Sequence, residues 1–494
     1  MTYDVQPKLF INGEFADSAG DSVFPVKNPA NNEVVAEVPD ATAADVESAV
    51  AAASEAFNRG TWPRLEAAER SAIVYAIGDG LARNAEALAR LDTMQSGRTL
   101  NEMRGQFAKI PDWFRYFAGI ARGLEGRVLP MPGNYLNYTQ RIPLGVVAQI
   151  TPWNHPMLIL AKKVAPALAA GNTVVIKPSE YAPLSALALA SIGREAGLPP
   201  GVLNVVTGFG PSTGSALVSH PAVAKVDMTG GVETGRAVAS AAGRNLADVT
   251  AELGGKAPVI IFPDVELPDV VTGAVLHGYY ASGQACAQGS RVLIHADLLQ
   301  EFTEHFVQRV RQLRVGDPVD KDTEIGPLVS KRQLERVHRY CQIGVEEGAT
   351  LLCGGQPLDQ PPYDRGNYFA PTVFGNVQPR ARIAQEEIFG PVTVIIPFRT
   401  EEEAIQLAND VPFGLVAAIW TKDVKRAHRV AHQVQAGIIW INDCNRADPC
   451  SPWGGMKDSG IGRENGWGAL IDYTQERSII VNLEQKKAGV QYKI

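Results

Sequence analysis

The chain has little of several things, and each shortage narrows what it can do. Five cysteines among 494 residues (Cys286, Cys341, Cys353, Cys444 and Cys450) are odd in number and lack metal-ligand spacing. That speaks against a disulfide framework and for a reduced, cytoplasmic setting. The 8 histidines form no spaced cluster with carboxylates or cysteines, so no metal site is expected. No uninterrupted apolar stretch reaches the roughly 18 residues that suggest a membrane span. The start, Met1-Thr2-Tyr3-Asp4-Val5-Gln6-Pro7, lacks a basic segment followed by an apolar run, so it does not read as a secretory signal. Positive charge is not in excess either: 46 Lys and Arg stand against 53 Asp and Glu, for a net charge of −7 without a basic block. Neither nucleic acid nor a membrane surface is expected as a partner.

What is there is enough apolar sequence, 45%, for a globular protein too long for one core. Two or three domains are expected. Residues 8–40 read as short strands with turns. Ala43 to Arg59, Arg64 to Ser96 and Leu100 to Ala121 read as helix. From Gly145 the pattern becomes strand, turn, helix: strand Gly145–Ile150 and helix Met157–Ala170, then strand Thr173–Lys177 and helix Pro183–Ala196. Strands Val202–Val206 and Ala224–Met228 follow, then helix Val232–Gly243. Such alternation means parallel strands with helical crossovers, a doubly wound α/β sheet. Ligands of such sheets lie at the carboxyl ends of the strands, where Thr151–Asn154, Lys177–Glu180 and Gly230–Gly235 fall. A second α/β region starts after Lys256 with Val259–Phe262 and includes strands Val392–Ile396 and Ala417–Trp420. Two glycine-rich turns invite a phosphate reading. Gly208 to Gly214 contains Pro211, which removes an N–H donor, and reads better as a strand-to-helix turn. Thr229 to Gly235 opens a helix, whose free N–H groups and dipole favour an anion.

The segment Gly283-Gln284-Ala285-Cys286-Ala287-Gln288-Gly289-Ser290-Arg291 sets one thiol between glycines, where an exposed turn is expected. A nucleophilic cysteine needs such exposure and a neighbour that lowers or accepts the thiol proton. On this segment alone a small buried hydrophobe is the better reading.

Its company changes that reading. Upstream stand Thr151-Pro152-Trp153-Asn154-His155-Pro156, Lys177-Pro178-Ser179-Glu180 and Ala251-Glu252-Leu253-Gly254-Gly255-Lys256. Downstream come Glu386-Glu387-Ile388-Phe389-Gly390-Pro391 and Pro452-Trp453-Gly454-Gly455-Met456-Lys457. In this order the blocks resemble the NAD(P)-dependent aldehyde dehydrogenase superfamily, from about Leu9 to Val481. The resemblance implies a Rossmann-like cofactor domain over 1–122 and 142–255 and a catalytic α/β domain over 256–450. It implies a small β oligomerisation flap from 123–141 and 474–494, with 451–473 returning to the cofactor domain. An exposed flap strand tends to pair with another chain, so a homodimer or homotetramer is expected.

By the same resemblance Cys286 attacks an aldehyde, Asn154 and the Cys286 N–H hold the developing oxyanion, and Glu252 activates the hydrolytic water. Lys163 and Glu464 match positions that assist proton traffic, with a structural ion pair as the other reading. The cofactor falls to Ile150, Thr151, Trp153, Lys177, Ser179, Glu180, Gly210, Gly230, Gly231, Thr234, Leu253, Glu387 and Phe389. Gly231 stands where serine is more usual. Glu180, which would accept from both ribose hydroxyls and repel a 2′-phosphate, favours NAD over NADP. His155 replaces a common aromatic residue and reads as pocket wall.

The resemblance implies a small-molecule aldehyde as substrate. Lys162 stands where many relatives carry tryptophan and succinate-semialdehyde dehydrogenases carry arginine, so it either pairs with a distal carboxylate or is a solvated helix lysine. Arg446 offers a second cation, which Asp448 could neutralise; Tyr280 and Trp453 supply aromatic walls. A polar or carboxylate-bearing semialdehyde is therefore expected over a plain alkyl one. The alternatives are an acylating relative that passes the thioester to coenzyme A, against which Glu252 speaks, and a non-catalytic structural protein on the same fold.

Overall fold

The run Val-Val-Ala-Gln-Ile-Thr at Val146–Thr151 shows no alternation and is almost wholly buried, as a strand covered on both faces must be. In a computed structural model, which describes residues 2–484, it lies inside an eight-stranded sheet. Across that sheet the order is Glu14–Ala16, Leu9–Ile11, Leu203–Val205, Thr173–Pro178, Val146–Thr151, Val223–Thr229, Asp248–Glu252, Gly460–Ile461. The five strands from Leu203–Val205 to Asp248–Glu252 are parallel. The chain winds outward in both directions from Val146–Thr151, so strand order reverses between it and Val223–Thr229. A crevice opens at the carboxyl ends beside such a switch point.

A seven-stranded sheet follows, ordered Thr350–Cys353, Thr372–Gly375, Val392–Phe398, Arg291–His295, Pro258–Ile261, Val416–Trp420, Ile438–Ile441. All but the first of these strands run parallel. Leu253 to Ala257 leads directly from the carboxyl end of Asp248–Glu252 into the amino end of Pro258–Ile261. The carboxyl edge of the first sheet is thereby joined to the amino edge of the second.

Two long helical patterns are interrupted. Helix Ala67–Arg83 ends at Asn84, and Ala85–Ser96 begins anew. Leu100–Phe107 and Pro111–Ile120 are separate because Pro111 has no N–H to continue a helix and is tolerated only in a first turn. Trp113, Phe114 and Phe117 then share a core with Leu160, Val164 and Leu168 of helix Pro156–Ala169. Strand Thr474–Asn482 pairs antiparallel with Tyr135–Pro143 along its whole length, and Val128–Leu129 adds a third strand. The expected flap segment runs to 494; its part from 485 onward lies outside the described residues. No helix among the described residues is long and apolar enough to cross a membrane.

Candidate active site

The glycines of Glu252-Leu253-Gly254-Gly255-Lys256 make room for other chain segments. A Cβ on Gly254 would stand 2.5 Å from Glu387 Oε2, and one on Gly255 would stand 2.3 Å from Cys286 O. The Gly255 N–H also donates to Glu387 Oε1 at 2.9 Å. Gly454 acts the same way from the far side, since a Cβ there would meet Glu252 Oε1 at 2.8 Å. Only backbone this bare lets three distant segments converge on one point.

Cys286 is delivered by a strained loop. Ala281, Ser282 and Gly283 have φ of 57°, 55° and 71° in succession, a conformation costly for the first two. Outside contacts hold it. The Ala281 N–H donates to Glu102 Oε1 at 2.9 Å, Ser282 Oγ donates to Gly326 O at 2.9 Å, and the Val329 N–H donates to Gln284 Oε1 at 3.0 Å. Asn154 Nδ2 donates to Gln284 O at 2.9 Å, which sets that amide beside the thiol loop. An amide has two N–H donors, so the other remains for a ligand oxygen.

Behind the loop lies a buried row of charges. Lys163 Nζ donates to Asp227 Oδ1 at 2.5 Å and to Glu464 Oε1 at 2.6 Å, and Tyr473 Oη donates to Asp227. Lys162 Nζ takes the other oxygen of Glu464 at 2.5 Å. Trp453 and Glu464 exchange backbone hydrogen bonds at 2.7 and 2.8 Å, which fixes Glu464 there. Burial raises the Glu464 carboxyl, but the charges of Lys162 and Lys163 win and hold it at about 2. Glu252 has no such partner among the described residues. Burial, then the neighbouring Glu464 charge, pushes its carboxyl well above the usual range. Burial likewise pushes the Cys286 thiol up to about 12, opposed chiefly by Lys162. Glu387 is raised by burial to about 7 despite its bond from Gly255.

Two cavities meet at Cys286. The first, of about 750 Å³, is lined by Trp153, Asn154, Gly230, Gly231, Leu253, Glu387 and Phe389 among others. It sits at the switch point of the first sheet, and Trp153 and Phe389 close it edge to face at 5.4 Å. A side chain at Gly231 would meet nothing within 4 Å, so the start of helix Val232–Arg244 stands open to it. The second, of about 390 Å³, is lined by Trp113, His155, Lys162, Glu252, Tyr280, Trp453 and Glu464 among others. Thr229 and Cys286 belong to both. A thiol between two cavities can meet one ligand from each side.

Several expected residues stand elsewhere. Ile150 and Thr151 end the central strand. Lys177 ends inside the next, 3.9 Å from Glu180, and Ser179 Oγ donates to that carboxylate at 3.4 Å. Neither these residues nor Gly210 and Thr234 line the first cavity, where Tyr181 does. Gly210–Gly214 is a short wide helical turn whose Gly214 packs toward Lys177. Cys286 is partly buried rather than exposed. Lys162 is not a solvated lysine: it is buried and lies 4.5 Å over the Trp453 ring. Arg446 is exposed, outside the second cavity, and paired with Asp443 at 2.9 Å rather than with Asp448.

Other contributors carry no local signal. Arg336 donates to Glu387 O at 2.7 Å and Gln333 to Phe389 O at 2.8 Å, both from helix Lys331–Glu346. His155 Nδ1 accepts from Arg98 at 2.5 Å and from Gln106 at 2.6 Å. Burial, then Arg98, holds that imidazole well below its ordinary pKa, hence neutral. Arg98 and Gln106 come from about fifty residues away in sequence, so no spacing announces them.

Comparison with known proteins gives one consistent result. Residues 15–479 match the model of the aldehyde dehydrogenase family. DhaS of Bacillus subtilis (strain 168), assigned to the aldehyde dehydrogenases, is 44% identical over 478 residues, covering 97% of this chain and 96% of that one. A Burkholderia cenocepacia crystal structure with the same assignment superposes with TM-score 0.96 at 41% identity, covering 99% of this chain and 100% of that one. Betaine aldehyde dehydrogenase of Staphylococcus aureus in complex with NAD+ gives TM-score 0.97 at 38% identity, over 99% and 97% of the two chains.

Proposed function

This chain belongs to the aldehyde dehydrogenase family, and we propose that it oxidises a polar or carboxylate-bearing aldehyde to the acid through a thioester on Cys286. The observation that carries this is the meeting of the two cavities at that thiol.

The first cavity suits NAD, which the S. aureus relative binds. An open helix start at Gly230 and Gly231 faces it, as a pyrophosphate requires. Glu387 and Phe389, both in the wall of this cavity, are the residues proposed for the nicotinamide ribose and ring. Glu180, one third exposed just after its strand and outside that wall, is proposed for the adenosine ribose. Bound there, NAD supplies the acceptor for the hydride that leaves the substrate carbon.

The protein's residues account for the rest. Glu252, a carboxylate of the second cavity unpaired among the described residues, accepts the Cys286 thiol proton and returns it to solvent before the hydrolytic step. The sulfur adds to the aldehyde carbon from that cavity, and the free N–H of Asn154 with the Cys286 N–H meets the oxygen as charge develops. Two such fixed donors are worth a factor of about 10²–10³ each in acyl chemistry. After oxidation the carbon is held as a thioester. Glu252 takes a proton from water, whose oxygen then displaces the sulfur and releases the acid. Burial raises that carboxyl above the usual range, which strengthens its carboxylate as a base. The modified cysteine of the S. aureus enzyme, which carries a β-mercaptoethanol adduct in one crystal, is consistent with a reactive thiol at such a site. Lys162, the cation in the second cavity, favours a substrate with a distal carboxylate. NADH absorbance with an aldehyde panel, with and without coenzyme A, tests this reading. Turnover without coenzyme A is expected; turnover only with it would assign the acylating reaction instead.

A further inference from the structure

The second cavity has three aromatic rings in its wall, Trp113, Tyr280 and Trp453. Aromatic walls of this kind hold cations over their faces, quaternary ammonium groups above all. Here two of the three faces already carry the protein's own cations. Lys162 Nζ lies 4.5 Å from the Trp453 centroid, and the Arg98 guanidinium carbon lies 4.6 Å from that of Tyr280. Both cations are buried. His155 stacks on Tyr280 at 5.9 Å, and Trp440 lies tilted beside Trp453 at 6.4 Å.

Two carboxylates of this cavity, Glu464 and Glu102, are committed as well. Glu464 gives one oxygen to Lys163 and the other to Lys162. Glu102 accepts from the Arg98 Nε and from the Ala281 N–H. Glu252, the proposed base, has no hydrogen-bond partner among the described residues. An incoming cation would find the Trp453 face already taken by Lys162 and both oxygens of Glu464 already paired, with little there to replace the water it gives up.

We propose that Lys162 turns cationic aldehydes away from this cavity by occupying the Trp453 face on which a quaternary ammonium would settle, with the Arg98 charge over Tyr280 adding to the effect. Glu464 and Glu102 compensate both charges at a distance, so the exclusion acts at contact. The consequence separates this chain from its structural relative: betaine aldehyde, the substrate that the relative's name gives, carries a trimethylammonium group and is refused here. The inference rests on the aldehyde dehydrogenase reading of the second cavity.

The test compares betaine aldehyde with 3,3-dimethylbutanal, its uncharged isostere in which carbon replaces nitrogen. The wild type should prefer the neutral aldehyde by about tenfold or more in kcat/KM. Lys162→Gln should shrink the ratio by about tenfold, and Lys162→Arg should preserve it. Because Lys162 also touches Glu464, both rates are expected to change; the ratio between isosteres cancels what is common to the two substrates. The double variant Lys162→Gln with Glu464→Gln, which frees no carboxylate, should shrink the ratio as well. Equal wild-type use of the two aldehydes overturns the proposal, as does a ratio unmoved by Lys162→Gln. Propanal oxidation reports separately on the aldehyde dehydrogenase reading. If propanal also fails, titrating tryptophan fluorescence with choline and with 3,3-dimethylbutan-1-ol still decides. Binding of the alcohol at least about tenfold tighter supports exclusion, and equal or tighter binding of choline overturns it.

Discussion

Asn154 Nδ2 donates to Gln284 O at 2.9 Å, joining the turn after the central strand of the first sheet to the loop that carries Cys286. One hydrogen bond thus sets the distance between the proposed oxyanion donor and the proposed nucleophile. Asn154→Ala should lower kcat by about 10²–10³-fold while KM changes little, because the donor acts on charge that develops late. A steady-state comparison checks this. A rise in KM with kcat unchanged would mean that the amide only binds substrate.

Cys286→Ala should abolish turnover and leave NAD binding near wild type. Cys341→Ala, Cys353→Ala, Cys444→Ala and Cys450→Ala should each retain far more activity, since none of these thiols lines either cavity. Turnover of Cys286→Ala within tenfold of wild type would sink the assignment. Dehydrogenase assays beside NAD titrations measure both properties.

Glu252→Gln should give a burst of NADH followed by a slow steady state, because it blocks hydrolysis of the thioester more than its formation. The pH dependence carries a definite sign. The working form is the carboxylate, and burial with Glu464 nearby raises the carboxyl well above the usual range. Deacylation should therefore accelerate as pH rises past the ordinary carboxylate range and fail on acidification. A wild-type steady-state rate flat from pH 5 upward would contradict this.

Glu180→Ser should narrow the preference for NAD over NADP. A carboxylate there would meet the 2′-phosphate as a like charge, and a hydroxyl would not. Ratios of kcat/KM for the two cofactors give the answer. Equal use of both by the wild type would end the argument at once.

An ω-carboxy aldehyde should outperform its methyl-ended analogue, and Lys162→Met should remove the advantage. A charge-assisted hydrogen bond contributes about 1.5–3 kcal/mol, on the order of tenfold or more in kcat/KM. Arg446→Met should leave the ratio unchanged, because Arg446 stands outside the cavity and pairs with Asp443. Assays of the two aldehydes with each variant separate the candidates.

The sequence by itself determined what is local. Mainly apolar runs without alternation such as Val146–Thr151, followed at once by glycine-rich or polar turns, specify parallel strands with a site at their carboxyl ends. The blocks around Asn154, Glu252, Cys286 and Glu387 are short contiguous strings, so their resemblance survives without coordinates. Two interrupted helices escaped that reading because amphipathic spacing continues across Asn84 and Pro111 even though the backbone does not. Only the tertiary structure decided the electrostatics. Lys162 reads alone as solvated or substrate-facing. It becomes a buried cation because Trp453 and Glu464, about three hundred residues away, fold against it. Glu252 is raised and Glu464 lowered although both are buried glutamates in one corner, since two lysines pair directly with Glu464 and neither pairs with Glu252. Spacing records what a segment can form; the energy of a charge depends on what surrounds it, and its surroundings come from distant parts of the chain.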